Sequence, residues 1–121
     1  MWKFLRVTAL WVLLLPYAAQ FIGAASNQLV LIANHDTFPV MVNPIRIVSL
    51  GGDPTKPMID TRHCQMTKET HLNLLADIFD FHQAIYSIGD GLLMLGEWLD
   101  SFCFYVWAAL VITKLRSSNA A

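Results

Sequence analysis

Two long apolar runs stand at opposite ends of the chain, over residues 7–33 and 88–113, with a polar, proline-rich stretch between them. Each run is long enough to cross a hydrocarbon core, which takes roughly 20 helical residues. That layout predicts an all-α membrane fold: two long transmembrane helices in a hairpin, joined by a loop that carries one or two short helices. On this reading residues 1–121 form a single membrane domain. Its parts are a first transmembrane helix at 7–33, an extramembrane loop at 34–86 with short helices near 44–50 and 68–81, a second transmembrane helix at 87–113 and a polar tail at 114–121.

Charge supports the same reading. Only 14% of the residues are charged, against about 25% in ordinary soluble domains. The net charge of -1 gives no footprint for nucleic acid, which is not expected as a partner. Cys64 lies in the middle stretch and Cys103 inside the last run. Neither has CxxC or metal-ligand spacing, and the two are not expected to pair.

The first run has a rival interpretation. Lys3 and Arg6, an apolar stretch and then Gly23-Ala24-Ala25 follow the three-part pattern of a secretory signal. Cleavage there would leave a secreted binding module. However, apolar character resumes at Leu29-Val30-Leu31-Ile32-Ala33, which favours an uncleaved anchor with a tolerated proline at Pro16. Gln20, Ser26, Asn27 and Gln28 are then expected to hydrogen-bond a neighbouring helix, with the small residues beside them allowing close approach. Lys3 and Arg6 at one end, and Lys114 and Arg116 at the other, place both termini in the cytoplasm by the positive-inside rule.

In the middle, Asn34-His35-Asp36-Thr37 is a turn-forming cluster. Asn43 is positioned to cap a short helix with Pro44 in its first turn and Gly51 past its end. Thr67 could cap a second helix with Leu72, Leu75, Ile78 and Phe79 on one face. The loop also holds His35, Asp36, His63, His71, Asp77, Asp80 and His82, whose spacings match no compact metal motif. No metal and no cofactor are expected.

The last run opens with Ser87-Ile88-Gly89-Asp90, the spacing of a capping box. Gly89, Gly91 and Gly96 thin one side of the helix. The candidate functional acids are Asp90, Glu97 and Asp100, which helical geometry predicts on one side. Each carboxylate costs roughly 2.5–3.5 kcal/mol near a bilayer centre. The acids therefore either lie wetted at the interface or line a cavity that handles a cation, a proton or a polar partner.

With these residues in view, the chain resembles a family of uncharacterised bacterial multi-span membrane proteins, known only as a domain of unknown function. Members carry a pattern like Asn-Gly-Gly-x-Met-Pro-Val, then Leu-Gly-Asp-Ile, then Ser-Ile-Gly-Asp. Here these read Asn34-His35-Asp36-Thr37-Phe38-Pro39-Val40, Leu75-Ala76-Asp77-Ile78 and Ser87-Ile88-Gly89-Asp90. The motif positions are Asn34, Pro39, Asp77, Ser87 and Gly89. His35-Asp36 replaces the glycine pair, Phe38 replaces the methionine, and the family's earlier spans have no counterpart here. The resemblance implies a retained first helix in the bacterial cytoplasmic membrane, and implies no reaction.

No GxSxG, HExxH or phosphate-loop pattern occurs, and no catalytic residue is identified. The expected function is non-enzymatic association of helices in the bilayer, with lipid and a second copy or another membrane protein as partners. An ion or proton pathway through Glu97 and Asp100 is the alternative.

Overall fold

The computed structural model describes residues 2–81 and 84–119. In chain order its elements are α1 (Trp2–Ala33), β1 (Phe38–Val40), α2 (Pro44–Ser49), β2 (His63–Gln65), a 3-10 turn at Asn73–Leu75, β3 (Phe79–Phe81), β4 (Ala84–Tyr86) and α3 (Ile88–Asn119). The two long helices pack along one another and run antiparallel, since Gly23 meets Gly89 while Pro16 meets Gly96. The remaining elements form a small cap over the end where α1 finishes and α3 begins.

Local chemistry sets the junctions. Helix α1 stops where His35 and Asp36 take positive φ angles of 54° and 63°. The Asp36 amide then reaches back to the Leu31 carbonyl at 2.9 Å, which satisfies a terminal acceptor of the helix. Asn43 caps α2 by accepting from the Arg46 amide at 2.8 Å, and Pro44 needs no hydrogen-bond partner in the first turn.

The cap is built on β1. It pairs in parallel with β2, Phe38 opposite His63 and Val40 opposite Gln65. On its other edge β1 bridges Asp77: the Asp77 amide donates to the Pro39 carbonyl at 3.1 Å, and the Met41 amide donates to the Asp77 carbonyl at 2.8 Å. Strands β3 and β4 form a separate antiparallel pair. Val30, Phe38 and Ala76 bury the junction between α1 and the cap, while Val40, Ile47 and Ile59 form a second cluster beneath α2. Full burial of one such aliphatic side chain stabilises by about 1.5–3 kcal/mol.

This architecture corrects the all-α, two-span hairpin. The segment between the helices contains two small sheets, whose strands of three residues are too short to display a period of two in sequence. Among the described residues one helix is long and apolar enough to cross a membrane, over Ile88–Leu110.

The helix expected over residues 68–81 is also absent as such. The Thr67, Thr70 and Asn73 side chains engage the local backbone, with Thr70 Oγ donating to the Thr67 carbonyl at 2.9 Å and Asn73 Nδ2 donating to it at 3.0 Å, and Thr70 and Asn73 bond one another. Such bonds compete with the helical ladder. Leu72, in the left-handed region at φ 56°, then turns the chain. At the other end α3 continues past Thr113 to Asn119, so most of the expected polar tail is helical. The last two residues of that tail lie outside the described residues, as does His82.

Candidate functional site

The seam between α1 and α3 is close because three glycines lie on it. A Cβ on Gly23 would stand 2.6 Å from the Gly89 carbonyl oxygen. One on Gly89 would collide with the Asn27 side chain, and one on Gly96 with Gln20. Gly89 and Gly96 are two helical turns apart and share a face. Gly91 does not: it faces open space. The thinned side expected of all three glycines is therefore made by two of them, and it is occupied by α1.

This approach brings amides of α1 to acids of α3. Gln20 Nε2 donates to Asp100 Oδ2 at 2.7 Å, and Asn27 Nδ2 donates to Asp90 Oδ1 at 2.8 Å. Ser87 Oγ donates to Asn27 Oδ1 at 2.9 Å. Within α3 the capping box closes in both directions, the Ser87 amide donating to Asp90 Oδ2 at 2.9 Å and the Asp90 amide to Ser87 Oγ at 3.0 Å. Asp90 and Asp100 are thus held by neutral amides. Glu97, about 60° from Asp100 around the helix, is exposed. The structure divides the three candidate acids between the seam and the outer surface.

The other motif residues organise the cap. Asn34 is buried, and its amide nitrogen donates to the Val30 carbonyl at 2.9 Å and to the His71 carbonyl at 2.8 Å. Its oxygen accepts from the His71 amide at 2.8 Å, so one side chain ties the end of α1 to the loop after β2. Pro39 is fully buried in β1 and, through its carbonyl, fixes the Asp77 backbone.

Asp77 is the unusual group. It is only 8% exposed, and its carboxyl accepts no hydrogen bond from any described residue. Desolvation pushes its pKa up to about 7; the Asp90 carboxylate adds to the rise, and His63 opposes it. His63 is turned toward Asp60, with Nδ1 2.8 Å from Oδ2. Two clefts meet at Asp77 and His63. The first, of about 260 Å³, includes Asn27, Leu31, Phe38 and Asp90, and the second, of about 210 Å³, includes Val40, Ile59 and Asp60.

A family model, DUF5317, described as a family of unknown function, matches residues 9–99. The chain belongs to that family. The DUF5317 match takes in nearly all of the helix seam and the whole cap, so Asn34, Pro39, Asp77, Ser87 and Gly89 all fall inside it, and it ends just before Asp100. Comparison with curated proteins and with solved structures gives no match.

The sequence marks Asp77 as a motif position and one of the loop's scattered histidines and acids, and Asp90 as a capping-box residue and candidate acid. The facing of the two, and the roles of Gln20 and Asn27 as counterparts of Asp100 and Asp90 across the seam, come from pairing between residues far apart in the chain. Among the described residues no group of three or more His, Cys, Asp or Glu comes together that could hold a metal.

Proposed function

We propose that this member of DUF5317 works in a membrane by association, without catalysis, with the Ile88–Leu110 stretch of α3 in hydrocarbon and the cap at the interface. The observation that carries this reading is the outer surface of α3. Trp98, Phe102, Tyr105 and Leu110 are 75%, 64%, 71% and 66% exposed. A core helix of a soluble protein can be as apolar, but it is covered, whereas only 11% of the apolar window of α3 is buried. Soluble monomers rarely expose contiguous apolar patches beyond a few hundred Å². Gln20, Asn27, Asp90 and Asp100 point the other way and bond one another inside the seam, while Glu97 lies on the outer surface near the cap end of α3.

The association surface is the aromatic outer face of α3, because Gly89 and Gly96 are already covered by α1. The test is fractionation followed by crosslinking. The chain should stay in membranes through a carbonate wash, and a cysteine placed at Phe102 should give a crosslinked oligomer. Release by carbonate, or solubility without detergent, would overturn the membrane reading. Retention in membranes as a monomer would overturn the association.

A further inference from the structure

We propose that the cleft between the end of α1, β1 and the first turn of α3 binds a small primary ammonium compound, with Asp77 and Asp90 as its counter-ions and Leu31 and Phe38 against its apolar part. This goes beyond the membrane reading and does not depend on it.

Three observations carry the inference. Buried polar residues almost always have hydrogen-bond partners, yet Asp77, a residue more than nine-tenths buried, has a carboxyl with none among the described residues, and it opens onto the cleft. Asp90 faces the same cleft, and each of its oxygens accepts one hydrogen bond, from Asn27 and from the Ser87 amide. A carboxylate oxygen can accept two, so acceptor capacity remains there as well. The donor set does not suit a bare metal ion: two carboxylates face the cleft, His63 is engaged by Asp60, and the cleft of about 260 Å³ is walled partly by Leu31 and Phe38. An ammonium group brings several N–H donors to two carboxylates, and its alkyl part suits the apolar wall.

The charges around Asp77 set the pH behaviour. Asp90 on α3 repels its negative charge, His63 on β2 attracts it, and Arg62 stands at the exposed rim of the cleft, where water screens it. Asn27 on α1 is neutral. Asp60 lies in the second cleft and is occupied by His63. A bound cation and a proton therefore compete for Asp77, and binding must strengthen as pH rises toward 7.

The experiment is calorimetric titration of n-propylammonium into the detergent-solubilised full chain between about pH 5 and pH 8. Saturable binding is expected that tightens by up to about tenfold per pH unit and levels off above about pH 7. Asp77→Asn should weaken it by about tenfold or more. Leu31→Trp, which narrows the cleft without removing a charge, should weaken it too, and helix content of both variants establishes that they fold. Absence of saturation, unchanged affinity in Asp77→Asn, or tighter binding of Mg²⁺ than of propylammonium would overturn the proposal.

Discussion

The helix seam and the cap treat their acids in opposite ways. In the seam, Asp90 and Asp100 each receive an amide hydrogen from α1 at 2.8 and 2.7 Å. In the cap, Asp77 receives none from the described residues. A carboxylate that is given donors is held in place by them and serves as structure. One that is desolvated without donors gives up its charge near neutral pH and becomes responsive to protons and cations. The two kinds lie within one cleft, where the charge of Asp90 helps to raise the pKa of Asp77.

The largest expected effect breaks the cap side of this contrast. Asp77 has a folded pKa of about 7 and an ordinary value of 3.8, so between those values the folded chain holds a proton that the unfolded chain releases. Its contribution is most favourable below about pH 4 and is lost as pH rises through 7. The full penalty above pH 7 is at most about 4 kcal/mol, less what water in the two clefts screens. Asp77→Asn should therefore raise the thermal midpoint in detergent at pH 8 and flatten its fall between pH 5 and pH 8. An unchanged pH profile would show that Asp77 is ionised throughout.

Next in size is the seam. Gly89→Ala inserts a methyl group into Asn27 and should destabilise by about 1–3 kcal/mol, whereas Gly91→Ala, facing open space, should be neutral or slightly stabilising. Equal effects in thermal unfolding would mean that the two helices do not meet as described. Asn27→Ala leaves Asp90 Oδ1 without its donor across the seam and Ser87 Oγ without its acceptor, with an expected loss of about 1–3 kcal/mol. Its sharper use is a double-mutant cycle with Asp90→Asn: strong coupling is expected in the seam, and additivity would place the two apart.

The smallest effect lies at the junction of the two regions. His35 and Asp36 hold left-handed backbone at the end of α1, where the resembled pattern carries glycines. Asp36→Gly should cost little or stabilise, by no more than about 1 kcal/mol, because glycine adopts that φ without a Cβ penalty. A clear loss of stability would show that the aspartate side chain is needed there.

How much of this could be read in advance differs by element. Asn43-Pro44 announces α2, and Ser87 with Asp90 announces the start of α3, because caps are contacts between neighbours in sequence. The region 68–81 misleads, because Leu72, Leu75, Ile78 and Phe79 fit a helical stripe while Thr67, Thr70 and Asn73 take backbone groups the helix would need. Helical angle alone groups Glu97 with Asp100, and only the position of α1 separates them.

The amino-acid sequence by itself determined two long helices, their approximate ends, the apolar surface they would carry and the caps that start α2 and α3. Those features follow from local periodicity and from side chains reaching backbone a few residues away. Tertiary structure decided which glycines form the seam, which acids receive donors and which is left bare. The hydrogen bonds responsible join residues 63 and 80 positions apart, and no local pattern specifies which amide will stand opposite which carboxylate.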